Sequence, residues 1–191
     1  MRKLVLVRHS QPRIGRNVPA AEWRLSERGR RRAKAMAALL RDYGANRIWC
    51  SREPKAVETA EIVGSALDIP IRVKDGLEEH HRHNVPFFPT TQEFEQAIEA
   101  FFSQPTRLVL GSETASQACD RFSAAIDAVL EADSADAIVV THGTMMTLYL
   151  AQVADIPPMD FWRELRTPCL VEVELPSMCV GPIVVPGEPE L

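Results

Sequence analysis

Leu4-Val5-Leu6-Val7-Arg8-His9-Ser10 and, far along the chain, Ala137-Ile138-Val139-Val140-Thr141-His142-Gly143 share one pattern. Each is a short, unbroken apolar run that stops at a polar residue followed by a histidine. Such a run, without polar alternation, reads as a strand buried on both faces, as in parallel sheets. Working outward, helix and strand patterns alternate. Ser26 is placed to cap a helix whose apolar residues Ala33, Met36, Ala37 and Leu40 recur at helical spacing, with Gly44 as its stop. Arg47–Cys50 reads as a strand. Ser51 then reads as the cap of a second helix, with Pro54 in its first turn and Ala56, Ala60, Val63 and Leu67 on one face. Ile69–Val73 is a third strand, which Pro70 moves towards an edge.

Beyond Asp75 the rhythm breaks. Glu78 to Thr90 holds three histidines and two prolines without a period and reads as a loop. Thr90 and Glu93 have capping-box spacing before the stripe Phe94, Ala97, Ile98 and Phe101. Helices are predicted over Thr114–Glu131 and Thr144–Val153, and a half-buried strand over Cys169–Leu175. The expected product is one α/β domain over residues 1–175: three layers, α/β/α, around a mostly parallel sheet, followed by a Pro/Gly-rich tail over 176–191. Ligands of such sheets bind beyond the carboxyl ends of the strands, which is where His9 and His142 fall.

Composition narrows the classes. With 46% hydrophobic and 25% charged residues in 191, the chain can bury a large core and is not disordered. Its four cysteines, Cys50, Cys119, Cys169 and Cys179, lack zinc-site spacing and read as reduced packing thiols. No apolar run approaches a membrane span and the first residues lack a signal-peptide pattern, so a cytoplasmic protein without membrane contact is expected. Residues 1–60 hold 15 of the 22 Lys+Arg and 5 of the 26 Asp+Glu. The run Arg28-Gly29-Arg30-Arg31-Arg32-Ala33-Lys34 supplies much of that excess. It has helical spacing and no interleaved aromatics, so a solvated helix face is favoured over a nucleic-acid site.

A strand ending in histidine, twice, with Arg8 adjacent, leaves three readings open. One is a metal site, against which stand the missing carboxylate partners and the repulsion of Arg8 for a cation. Another is a pair of core histidines. The third is an anion site in which a neutral imidazole attacks phosphorus while cations hold the phosphoryl oxygens. It requires the two rings to lie together and to be reachable from solvent.

The strings around these histidines favour the third. Leu6-Val7-Arg8-His9-Ser10-Gln11-Pro12 resembles the signature of the histidine phosphatase superfamily, which includes phosphoglycerate mutase-like enzymes. Ser10 stands where that family usually has glycine, and Pro12 is also a departure. Leu25-Ser26-Glu27-Arg28-Gly29 with Ala33, Gly111-Ser112-Glu113, and Val139-Val140-Thr141-His142-Gly143 resemble further family segments in the same order. The resemblance implies a phosphoglycerate mutase-like fold, no cofactor and no metal. It makes His9 the nucleophile that becomes phosphohistidine, with Arg8 and His142 binding the phosphoryl oxygens and His142 also catalytic. Ser51-Arg52-Glu53-Pro54-Lys55-Ala56-Val57-Glu58-Thr59-Ala60 aligns with a family segment whose arginine falls on Lys55. An ammonium is a point charge and no substitute for a planar fork, so Arg52 is a second candidate for phosphate.

By the same resemblance, Leu77-Glu78-Glu79 nominates Glu79 as the general acid, with Glu78 the competitor. An acid working near neutral pH needs its pKa raised by burial. Gln11, Arg13, Arg82 and Gly143 are the expected substrate contacts. His80, His81 and His83 are open to three roles: a lid that touches substrate, plain solvated loop, or adventitious metal binding. The function implied is a metal-independent phosphoric monoester hydrolase of histidine acid phosphatase type, acting on a small phosphorylated molecule or phosphate ion. Alternatives are a mutase, for which residues 74–136 leave little chain to cage a substrate, and an impaired phosphate-binding or scaffold protein. The substrate and the oligomeric state are not readable.

Overall fold

The computed structural model describes residues 1–187; the last four residues of the expected tail lie outside them. Six strands form one sheet in the order β3-β2-β4-β1-β5-β6: β1 Arg2–Arg8, β2 Ile48–Cys50, β3 Ile71–Val73, β4 Ala137–Thr141, β5 Cys169–Leu175 and β6 Cys179–Val184. The first four run parallel, β5 is antiparallel to β1, and β6 is antiparallel to β5. The sheet is therefore mostly parallel, as expected.

Alternate residues of the central strands feed opposite cores. Val5, Val7, Ile138 and Val140 pack against α1 (Glu27–Leu40) and α2 (Pro54–Leu67). Leu4, Leu6 and Val139 pack on the other face, with α3 (Thr91–Ser103), α4 (Ala115–Glu131), α5 (Gly143–Val153) and α6 (Pro158–Glu164) around them. Burial on both faces explains why these strands carry no polar alternation.

Capping follows the sequence in most places. Ser26 accepts from the Gly29 N–H, and Thr90 with Glu93 and Thr114 with Gln117 form full capping boxes. Two expectations fail locally. Gly44 does not stop α1, which ends four residues earlier. Ser51 does not cap α2: Pro54 takes the first helical position, so the cap falls on Glu53. Residues 176–187, expected as tail, contain the edge strand β6, where Gly181 and Pro182 are tolerated because one side needs no ladder partner. Helix α6 was also unforeseen. Cys50, Cys119 and Cys169 are buried, but Cys179 is exposed rather than packed. The basic stretch lies along α1, where Arg28, Arg31 and Lys34 face solvent and Arg30 pairs with Glu58.

Gly29 lets the segment after β1 cross close over α1. A Cβ there would lie 2.1 Å from the Gln11 carbonyl oxygen, and the Gly29 carbonyl accepts the Ser10 hydroxyl at 2.7 Å. Gly29→Ala is expected to lower unfolding free energy by about 2–3 kcal/mol through this overpacking. Gly187→Ala, where a Cβ meets nothing within 4 Å, should stay within about 0.5 kcal/mol. Urea titration of both variants is the check.

Candidate active site

Strand register builds the site. Arg8 of β1 pairs with Thr141 of β4, so His9 and His142 leave adjacent parallel strands at the same level. The His9 N–H donates to the Thr141 carbonyl at 2.9 Å, and the ring centroids lie 5.2 Å apart. On the next strand, β2, the Ser51 N–H donates to the Val140 carbonyl at 3.0 Å, which sets Ser51 beside His142. After β1 the chain turns to α1 on one face, and after β4 to α5 on the other. The crevice between them is the place where such sheets bind ligands.

His9 holds a defined tautomer. Its Nδ1 is 2.7 Å from the Ser10 carbonyl oxygen, which can only accept, so Nδ1 carries the proton and Nε2 keeps its lone pair. Burial, then His142, Lys55 and Arg8, hold the pKa of His9 well below the ordinary histidine value. Ser10 itself is fully buried and satisfied, donating its N–H to Thr59 Oγ1 at 3.0 Å and its hydroxyl to Gly29. His142 Nε2 shares a 2.8 Å hydrogen bond with Ser51 Oγ, while its Nδ1 is buried without a partner. Burial and then Lys55 also keep His142 well below its ordinary pKa.

Arg8 lies across the N-terminus of α5. Its Nη1 donates to the Leu165 carbonyl at 2.7 Å, and its Nε is buried and unpaired. Gly143 makes this possible, since a Cβ there would sit 3.0 Å from the Arg8 guanidinium carbon. Arg82 enters from the loop after β3, its guanidinium 4.9 Å from the Phe94 ring centroid and its Nη1 buried and unpaired. Gln11 Oε1 is likewise unpaired. Lys55 is 4% exposed; its ammonium donates to the Ala20 carbonyl at 2.6 Å and to the Glu53 carboxylate.

Glu79 accepts from the His80 N–H at 2.9 Å and from the Thr144 N–H of α5 at 3.4 Å. Burial pushes its carboxyl up, but Arg82, His142 and the His80 N–H outweigh that, and its pKa lies below the usual carboxylate range. The raised value expected from the sequence is therefore not found. Glu78 is turned elsewhere, accepting from the Gly76 N–H and pairing with Arg52 at 3.1 Å.

Several expected residues do not gather here. Arg52 has a side chain 60% exposed and is engaged by Asp75 and Glu78, both acidic partners, which leaves Lys55 as the α2 cation at the histidines. Arg13 is exposed on the segment that pairs with Arg24. His80 is a core histidine, 4.0 Å from the Phe101 ring and bonded to the Leu110 carbonyl, and His81 pairs with Glu113. His83 lies in exposed loop. Among the described residues, no three His, Cys, Asp or Glu groups are placed to share a metal ion, and no helix is long and apolar enough to cross a membrane.

Three residues at the site were not foreseen in these positions: Ser51, Glu53 and Arg121. Arg121 of α4 pairs with Glu113 at 2.7 Å and donates to the carbonyls of Gly76, Glu78 and Glu79, fixing the backbone that presents Glu79. Only Pro54 hinted at any of them, by moving the cap to Glu53.

The condition of solvent access is met incompletely. His9 retains 6% of its surface and His142 none. The loop before α1 and the loop after β3 touch each other, with Trp23 and Phe87 ring centroids 6.4 Å apart and Arg16 5.6 Å from the Phe87 centroid. A cavity of about 380 Å³ lies instead between α4 and α5, lined by Ala115, Cys119, Leu148 and Gln152. It has no convergent charge, whereas Arg8 Nε, Gln11 Oε1, Arg82 Nη1 and His142 Nδ1 are among the buried polar atoms without a hydrogen-bond partner. Buried unpaired groups of that kind are costly.

Comparison with known proteins places this arrangement. A family model described as histidine phosphatase superfamily (branch 1) matches residues 4–177. The chain belongs to the histidine phosphatase superfamily. It is 26% identical over 177 residues to the adenosylcobalamin/alpha-ribazole phosphatase of Salmonella typhimurium, covering 84% of either chain. Among solved structures, it resembles YhfR of Bacillus stearothermophilus with a TM-score of 0.74 at 22% identity, covering 95% of this chain and 96% of that one. It also resembles a mycobacterial glucosyl-3-phosphoglycerate phosphatase solved with VO3, with a TM-score of 0.70 at 19% identity and 91% of both chains covered.

The superfamily site predicts a distinctive acid response. Imidazoles with depressed folded pKa values refuse protons that the unfolded chain accepts, so stability falls as pH drops below about 6.5. His9, His142 and His80 are all lowered by burial first. His9 and His142, held well below the ordinary value, should each cost up to about 1.4 kcal/mol per pH unit between that point and their folded values, and His80 less. Urea midpoints at pH 7.5, 6.5 and 5.5 should fall, and His142→Asn should flatten the slope by one proton's share.

Proposed function

We propose that this protein is a metal-independent phosphomonoesterase that works through a phosphohistidine on His9. The carrying observation is the His9 Nδ1–H bond to Ser10, which leaves the Nε2 lone pair free on a ring whose centroid is 5.2 Å from that of His142. Arg8, Lys55 and His142 are the phosphoryl-binding groups, and the N-terminus of α5 adds its dipole. Arg82, from the loop after β3, supplies the second guanidinium that Lys55 cannot, since Arg52 is engaged by Asp75 and Glu78. Gln11 and Gly143 border the same oxygens.

In the first step the Nε2 lone pair attacks phosphorus and the ester P–O bond breaks. Its electron pair goes to the leaving oxygen, which takes a proton from Glu79 and departs as the alcohol. In the second step water attacks the phosphohistidine, its proton passes to the Glu79 carboxylate, and the N–P bond breaks to release phosphate. Glu79 must therefore arrive protonated. An incoming phosphoryl dianion supplies that condition, because its negative charge counters Arg82 and raises the proton affinity of the carboxyl.

The relatives support a phosphatase through what they are called, and phosphate esters are the shared chemistry of their names. A histidine acid phosphatase-type hydrolase of small phosphorylated molecules is the specific reading. The unbridged cysteines suit a reducing compartment such as the cytoplasm. A second reading, a phosphate binder without turnover, draws on the engagement of Lys55 by Glu53.

A panel of phosphomonoesters, assayed for released phosphate in the presence of a chelator, separates the two. Wild type should turn over at least one, and His9→Ala should lose about 10³-fold or more of that rate. Vanadate binding without any turnover across the panel would favour the binder.

A further inference from the structure

Glu53 is used by no step of the reaction, yet it touches three of the groups that are. It is 7% exposed and stands at the cap position of α2, but its side chain caps nothing. One carboxylate oxygen bonds the Lys55 ammonium. The other accepts the Glu79 backbone N–H at 2.8 Å and lies 3.6 Å from His142 Nε2. Its own N–H donates to Ser51 Oγ at 3.2 Å, the same hydroxyl that bonds His142.

We propose that Glu53 is a positioning residue whose buried charge keeps Glu79 a proton donor and prevents Lys55 from holding phosphate too tightly. The inference rests on the phosphomonoesterase reading and deepens it. Arg8, Lys55 and Arg82 bring three positive charges to the crevice, and Glu53 and Glu79 bring two negative ones, while both histidines are neutral. A phosphoryl dianion turns this small positive surplus into a negative one, which a single proton relieves.

The groups facing Glu79 decide where that proton goes. Arg82 on its own loop, Arg8 at the end of β1, His142 at the end of β4 and the His80 N–H all favour the carboxylate, and the Thr144 N–H of α5 bonds it as well. Glu53, at the start of α2, is the like charge that favours the acid. Without it, the cationic side prevails even when the site is occupied. Lys55 would then also be free of its counter-charge and would retain the product.

Glu53→Gln tests this, because it preserves length and an acceptor for the Glu79 N–H while removing the charge. Inorganic phosphate should inhibit the variant about tenfold more tightly than wild type. The basic limb of the kcat profile should move down by about one pH unit as Glu79 loses its proton earlier. Glu53→Asp, which restores the charge, should return both values towards wild type, a rescue that mere support of the fold would not give. Unchanged phosphate inhibition with an unchanged limb overturns the proposal, as does weaker inhibition, which would make Glu53 only a prop for Lys55. Should the Gln variant fail to fold, Lys55→Gln must shift both readouts the opposite way, and shifts in the same direction overturn the proposal. If wild type neither hydrolyses esters nor binds vanadate, it is the phosphomonoesterase reading itself that fails.

Discussion

Everything at the crevice depends on one pairing, the parallel register that sets Arg8 of β1 opposite Thr141 of β4. That register alone makes His9 and His142, far apart in the chain, leave the sheet side by side. It is secured by burial on both faces, since a slip of one residue would exchange Val5 and Val7 with Leu4 and Leu6 between the two cores. The following segments diverge to opposite faces, and the opening that results is filled by charge rather than by apolar side chains.

That charge is closely balanced. Guanidinium and ammonium groups of Arg8, Arg82 and Lys55 surround neutral imidazoles, and two carboxylates temper them. Burial holds the pKa of His9 well below its ordinary value and the Ser10 contact fixes which nitrogen is free, so the nucleophile proposed above would be prepared by the fold rather than by a base. The unpaired polar atoms of Arg8, Gln11, Arg82 and His142 are a local cost that an occupant with several acceptor oxygens would remove.

Much of this was legible in the amino-acid order, and the failures have physical causes. The apolar runs ending at His9 and His142 announced both strands and the rim they share, because burial on both faces removes polar alternation. Thr90 and Glu93 announced a helix start because capping is local chemistry. Glu53 and Arg121 were illegible in their roles because their partners, Glu79, His142 and Glu113, meet them only through tertiary packing. Arg52 was nominated by proximity in sequence, but its side chain turns to Asp75 and Glu78. Strand β6 was hidden by Gly181 and Pro182, which depress strand propensity yet cost little at a sheet edge. The lowered pKa of Glu79 was hidden because it depends on Arg82 and His142 together.

The most direct measurement is rapid acid-free quenching of wild type during turnover of a reactive phosphomonoester, followed by digestion under alkaline conditions and mass analysis of the peptides. The account predicts one added phosphoryl group on the peptide carrying His9, labile to acid and stable to alkali. Turnover with no phosphorylated His9 peptide, or with the label on another residue, would contradict it.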